Sequence, residues 1–190
     1  MSFSLNEVEA MAKRAARGAG HAWGQAEEAS KATRWLCAQG VDGVSVLAEV
    51  LKHGPSQGCP LCLGVALSDD ASALVAGPKQ LGPVRQPEMV LPFAAMAARQ
   101  LGKVVQLSCD AAKATTDGCA LLVTGTIPAN VENLTISVVT ADLHGATHAT
   151  RATPSTEAWS FLSELAHLTY APATEESRRL GAGAGLSDND

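Results

Sequence analysis

The sequence predicts an α+β fold: a helical N-terminal layer packed on a small, mostly antiparallel sheet, with a further helix towards the C-terminus. Three observations carry it. Apolar side chains recur at helical spacing from Leu5 to Leu51. Runs around Val105, Leu121 and Leu134 then alternate apolar and polar residues, as half-buried strands do. Helical spacing returns with Phe161, Leu162, Leu165 and Leu168. Helices and strands are thus segregated along the chain, whereas a parallel α/β sheet would interleave them.

The first helix is signalled by its cap. Ser4 and Glu7 have capping-box spacing, and Phe3 is placed to staple onto Val8. Leu5, Val8, Ala12, Ala15 and Ala19 share one face, with Glu9, Lys13 and Arg17 turned away; Gly18 and Gly20 end it. His21 to Gly24 reads as a turn, followed by a second helix from about Gln25 to Gln39 with Ala26, Ala29, Thr33 and Leu36 inside. Glu27 and Lys31 are an i,i+4 pair, and Arg34 extends that polar stripe. Asp42 caps a third helix carrying Val46, Leu47, Val50 and Leu51, closed by Gly54 and Pro55.

Between Pro55 and Pro92 the pattern is least legible. Leu61, Leu63, Val65 and Leu67 alternate as in a strand, and Ala71 to Ala76 suit a helix. Pro78, Pro83, Pro87 and Pro92 interrupt what lies between them, and a helix runs from Pro92 to Leu101, stopped by Gly102. Three strands follow: Val105 with Leu107; Leu121, Val123 and Ile127; and Leu134, Ile136 and Val138. Turns at Asp117-Gly118 and at Pro128 to Asn130 would make them an antiparallel meander with one wet face. Thr153 or Ser155 caps the last long helix, and a short helical turn is expected from Thr174, with Glu175 and Glu176 ahead of Arg178 and Arg179.

A chain of 190 residues fits one domain, read as residues 1–180 with a glycine-rich tail at 181–190. A globule of that size buries about 70% of the surface its unfolded chain exposes. Aromatic residues are only 4%, so the core is built from Ala, Leu and Val, which favours close helix packing. A formal charge of −5 with no basic cluster speaks against nucleic-acid binding. No apolar run is long enough to span a membrane, and Met1 to Glu7 lacks the basic flank and apolar stretch of a secretory signal, so a cytoplasmic location is expected. Five cysteines, an odd number without scaffold spacing, fit reduced thiols. The sequon Asn133-Leu-Thr135 falls in an expected strand and is read as chance.

Polar chemistry concentrates around the first turn. Arg14, Arg17, Trp23 and Arg34 are candidate binding residues for a carboxylate or phosphate, with His21, Glu27 and Glu28 as candidate proton carriers. Gly18, Gly20 and Gly24 would admit close backbone approach, and the first amides of the second helix would favour an anion. The competing reading is a turn between two solvated helix faces, with Glu27–Lys31 a surface ion pair worth under about 1 kcal/mol. Asp188 and Asn189, at the end of an alternating Gly/Ala tail, join the binding candidates if the tail threads into the site.

Two further constellations carry weaker chemistry. Cys59 and Cys62 have the Cys-x-x-Cys spacing of zinc or thiol-exchange sites, with His53 upstream; a second close ligand pair is lacking, and thiol exchange would want a strand before the motif and a helix starting at it, whereas a Gly/Pro-rich loop precedes it. Asp142, His144 and His148 stand at even spacing, on one side of a strand if it continued past Gly145. No nucleophile elbow, phosphate loop or dinucleotide fingerprint is present, and no motif names a cofactor.

The segments Ser4-Leu-Asn-Glu-Val-Glu-Ala10, Lys13-Arg-Ala-Ala-Arg-Gly-Ala-Gly20, Trp23-Gly24, Ala26-Glu-Glu-Ala29 and Lys31-Ala-Thr-Arg-Trp-Leu36, with Gly181 to Asp190 at the end, resemble a bacterial family catalogued as a domain of unknown function. That resemblance implies a stand-alone cytoplasmic protein and supplies no catalytic residues. A fainter similarity is to the opening of the malate/lactate dehydrogenase type 2 oxidoreductases, through Gly40-Val-Asp-Gly43. Those enzymes continue into Ser-His-Gly with a catalytic histidine, where this chain has Val44, Ser45 and Val46. The function expected is a small-molecule metabolic protein holding an anionic metabolite at the first turn. The alternatives are a non-catalytic accessory or oligomerising protein whose alanine-rich helices pack on a partner, and a zinc or thiol site at Cys59 and Cys62.

Overall fold

A computed structural model describes residues 1–56, 58–143 and 148–170. A two-residue strand β1 (Phe3–Ser4) leads into α1 (Leu5–Gly18). The capping box forms: the Ser4 hydroxyl accepts the Glu7 amide, and the Glu7 carboxylate accepts the Ser4 amide at 2.7 Å. Val8, Ala12, Ala15 and Ala16 face inward, and small side chains there let α2 (Trp23–Ala38) pack closely through Ala26, Ala29, Thr33 and Leu36. Helix α2 begins earlier than its pattern suggests. Ala22, extended at φ −60° and ψ 158°, takes the N-cap position, so Trp23 and Gly24 are helix and the turn is residues 19–22.

Asp42 caps α3 (Gly43–Leu51) by accepting the Ser45 amide at 3.1 Å. Next comes α4 (Pro60–Asp69), where the alternating leucines and valine had indicated a strand. Past Pro60, itself buried in the first turn, the buried positions of α4 are Leu61, Gly64 and Leu67, a spacing of three. Two-residue alternation of apolar side chains is compatible with either structure; here neighbouring helices cover the three-spaced face. Residues Ala71–Val75 form a 3₁₀ turn, and between the prolines lie β2 (Lys79–Leu81), β3 (Val84–Arg85) and a second 3₁₀ turn, Pro87–Val90.

Helix α5 (Leu91–Leu101) is buried nearly all round, as a helix lying between two layers must be. It touches α2 and α4 on one side and the sheet strands β4 (Val104–Cys109) and β5 (Ala112–Thr116) on the other. The remaining strands are β6 (Leu121–Gly125), β7 (Asn130–Val131), β8 (Leu134–Val139) and β9 (Arg151–Ala152). The main sheet is antiparallel throughout, in the order β2-β8-β4-β5-β6. Strands β3 and β7 pair separately, as do β1 and β9.

The fold is therefore α+β, but its strands are not the expected meander. Strand β5, whose inward residues Ala112, Ala114 and Thr116 are short, inserts between the first two anticipated strands, and β8 returns to the far side of β4, with Leu107 opposite both Ala114 and Ile136. Val105, Leu107, Ala114, Leu134 and Ile136 line the covered face. Val123, expected inside, is exposed because β6 is the sheet edge, where Leu122 is exposed too. Helix α6 (Thr156–His167), capped by Ser155 accepting the Ala158 amide, packs on α1 through Ala158, Leu162 and Ala166. Leu168, expected inside, falls beyond its last turn and is exposed. Phe3 stacks on Trp159 with ring centroids 3.6 Å apart, tying the N-terminal segment to α6.

Candidate functional site

The expected site residues separate into groups when α1 and α2 pack. At the turn, the Arg17 guanidinium lies 4.5 Å from the Trp23 ring centroid and donates to the His21 carbonyl. Trp23 is largely exposed and His21 wholly buried. Lys13 crosses from α1 to Glu27 at 2.8 Å, which holds the Glu27 carboxyl below its usual range. Lys31 therefore pairs with Glu28, not with Glu27 as its spacing suggested, also at 2.8 Å, and that bond raises its ammonium pKa. Arg34 reaches Glu9 at 2.6 Å and Asn6 at 2.7 Å on α1, while Arg14 points elsewhere, donating to the Tyr170 hydroxyl at 2.6 Å. Asp188, Asn189, His144 and the turn from Thr174 lie outside the described residues.

Gly18 does not open onto a ligand. A Cβ there would sit 1.8 Å from the Leu165 carbonyl oxygen, so Gly18 is the point where α1 and α6 touch. Gly20 and Gly24 have open space around them.

A concave surface forms one end of the helical pair away, at the C-terminal half of α2. A groove of about 470 Å³ is lined by Glu9, Lys31, Arg34, Trp35, Ala38, Gln39, Arg99, Gly118, Cys119 and His148. Its far wall is the β5–β6 turn. Asp117 accepts the amides of Cys119 at 2.8 Å and Ala120 at 2.7 Å, bonds that hold its carboxyl below the usual range. Gly118 adopts φ +99° directly over the Arg99 stem, a conformation and a clearance that only glycine meets. That turn then presents two carbonyls: Gly118's accepts from Arg99 at 2.5 Å and Cys119's from Gln39 at 2.9 Å. Gln39 also meets His148 Nδ1 at 3.3 Å. Three cationic side chains thus face the groove with one carboxylate, Glu9, and the half-buried Trp35 among its walls. A second groove, of about 450 Å³, runs along the α1–α2 seam past Asn6, Lys13, Glu27 and Lys31. Neither groove is lined by Arg14, Arg17, His21 or Trp23.

Sequence inspection marked Arg34, placed Lys31 in the same stripe, and singled out His148 as a metal candidate. It missed Trp35, Gln39 and Arg99 as parts of one site. Their partners lie some 80 residues away in the chain for Gln39 and 19 for Arg99, so no local spacing could reveal them.

His21 is the least comfortable group in the helical pair. Its ring is fully buried, and neither nitrogen has a hydrogen-bond partner among the described residues. Burial pushes its pKa below the ordinary 6.5, with the nearby Gln25 side chain opposing. The unfolded chain therefore binds a proton before the folded one as pH falls, and stability drops from pH 6.5 downwards until the lowered folded value is passed. The slope is at most about 1.4 kcal/mol per pH unit. Urea titrations of wild type and His21→Leu between pH 7 and pH 5 are expected to show a shallower loss in the variant; parallel curves would exclude a buried neutral imidazole.

Elsewhere, Cys59 is buried at the N-cap of α4 and Cys62, half-buried, stands in its first turn. Burial, followed by the neighbouring Cys59, raises the Cys62 thiol pKa, while Gln25 donates to its sulfur at 3.3 Å. Among the described residues no three His, Cys, Asp or Glu side chains are grouped to hold a metal ion. His148 faces the groove; residues 140–143 and 148–150 carry no strand. No helix among the described residues is long and apolar enough to cross a membrane.

No curated protein and no solved structure matches the chain. From the capping box of α1 through β2, residues 3–80 match the family described as "Protein of unknown function (DUF3726)", which agrees with the resemblance carried by Ser4 to Leu36.

Proposed function

We propose that the protein binds an anionic small molecule, a carboxylate or phosphate, in the groove between α2, the end of α5 and the β5–β6 turn. One observation carries this reading: Lys31, Arg34 and Arg99 converge on a single concavity of about 470 Å³ in a chain whose net charge is −5. A positive concavity on an acidic surface concentrates anions, and its volume suits a small metabolite. The groove replaces the first turn as the favoured location, because Arg14, Arg17, His21 and Trp23 line neither groove whereas Lys31, Arg34 and Arg99 share one. Trp35 supplies an apolar wall, and Gln39 and His148 supply neutral polar groups that would orient the bound molecule.

An accessory role through alanine-rich helices has less support. The alanines of α1, α2 and α5 that would meet a partner are buried within the chain itself. What favours a partner is instead the edge strand β6, with Leu122 and Val123 exposed.

Thermal-shift titration with inorganic phosphate and with citrate tests both. A ligand at a hundred times its Kd stabilises by about 2.7 kcal/mol, a Tm rise of roughly 5–10 °C for a chain of this size. The rise is expected to be lost in Lys31→Ala and Arg34→Ala and retained in Arg17→Ala. Loss in Arg17→Ala alone would return the site to the turn. A flat response to every anion, with a Tm that climbs with protein concentration, would favour the oligomerising alternative.

A further inference from the structure

We propose that Cys59 and Cys62 form a reversible dithiol–disulfide couple that exchanges with small-molecule disulfides, at a site independent of the anion groove. The geometry begins with the cap. In α1, α3 and α6 the N-cap side chain lies against the amide three residues on: Ser4 on Glu7, Asp42 on Ser45 and Ser155 on Ala158. Cys59 holds the same position in α4, with the same extended backbone as Ser4 and Ser155 but with no side-chain cap hydrogen bond, and the residue three on is Cys62. Both cysteines thus stand at the same end of one helix, Cys59 at the cap and Cys62 in the first turn. Helical neighbours at this spacing have Cβ atoms about 5–6 Å apart, and a disulfide needs about 3.5–4.5 Å. Closing that gap falls to a backbone shift at Cys59, the N-cap, whose carbonyl accepts the Leu63 amide at 3.0 Å, so the shift is taken up at that first rung of the helix.

Access orders the two sulfurs. Cys62 is half-buried, whereas Cys59 is only 2% exposed. An incoming disulfide R–S–S–R therefore meets Cys62 first. The Cys62 thiolate, formed by loss of its proton to solvent, attacks one sulfur; a Cys62–S–R bond forms and the first RS⁻ leaves. Cys59, deprotonated in turn, attacks the Cys62 sulfur, forming Cys59–Cys62 and expelling the second RS⁻. The protein loses two electrons and two protons, and the small disulfide becomes two thiols. The Gln25 amide, donating to Cys62 at 3.3 Å, stabilises the Cys62 thiolate before it attacks, against the burial that raises its pKa. Cys37, Cys109 and Cys119 lie on α2, on β4 and at the groove, and none shares this spacing.

The test uses the whole chain, oxidised glutathione, alkylation of remaining thiols, and mass spectrometry of the peptide carrying both cysteines. In wild type that peptide is expected to be unalkylated and lighter by two hydrogens, and to revert with dithiothreitol. Exposed Cys119, which has no close partner in sequence, should keep a glutathione adduct and so report that the oxidant acted. Cys59→Ser should trap the adduct at Cys62. Full alkylation of both cysteines in wild type while Cys119 has reacted would overturn the proposal, as would a stable wild-type adduct at Cys62. The wild-type readout stands even if the Cys59 variant fails to fold.

Discussion

Gly18→Ala is expected to destabilise the protein by about 3 kcal/mol, the upper end for an overpacked contact. The added Cβ would lie 1.8 Å from the Leu165 oxygen and 2.6 Å from its carbonyl carbon, so the clash is with backbone, which cannot rotate aside as a side chain can. The Leu165 carbonyl also accepts the Leu168 amide at 3.1 Å, so displacing it loosens the end of α6. Equilibrium urea unfolding gives the loss, and amide exchange should show α6 opening ahead of α2. Gly24→Ala provides the contrast. That residue is helical with nothing within 4 Å of the added methyl, and the substitution is expected to stabilise by about 0.5–1 kcal/mol. Equal losses at the two glycines would refute the α1–α6 contact.

Phe93→Ala is expected to cost about 3–5 kcal/mol, a large part of a stability that is typically about 5–15 kcal/mol. Phe93 is among the largest fully buried side chains, on the helix that joins the helical layer to the sheet. Its ring fills the space over Gly64 of α4, where a Cβ would come within 2.2 Å of the ring. Removing the ring leaves a cavity between α4 and α5 that neither backbone can collapse to fill. Gly64→Ala should destabilise on its own, yet cost less in the Phe93→Ala background, because the methyl then occupies vacated space. Urea midpoints of the four proteins measure that coupling. Strict additivity would mean that the two residues do not meet.

The helices of the N-terminal layer were legible because their signals are local. Ser4 with Glu7, Asp42 with Ser45, and Ser155 announce their helices through bonds that span only three residues. Each apolar face is likewise written within one segment. The alternation from Leu61 to Leu67 misleads because a two-residue apolar repeat also fills a helix face when neighbours cover it, and that cover comes from α5, more than twenty residues on. Strand β5 escaped notice because its inward residues Ala112, Ala114 and Thr116 are too short to register as apolar alternation, yet they are buried in a strand on which α5 packs.

The candidate sites divide along the same line. Residue types alone pointed to Arg34 and to the Cys59–Cys62 spacing, since charge and thiol chemistry belong to the side chain. Which cations share a groove depended on how α2, α5 and the β5–β6 turn meet, and that turn's pairing with Gln39 spans 80 residues. The fold class, the caps, the helical faces and the available chemistry are therefore written in the chain's local pattern. Strand order, the use of Gly18 and Gly64 as contact points, and the gathering of Lys31, Arg34 and Arg99 were decided only by tertiary packing. The physical reason is that capping and periodicity act within a turn or two of chain, whereas burial and charge convergence depend on surfaces that meet only once the layers close.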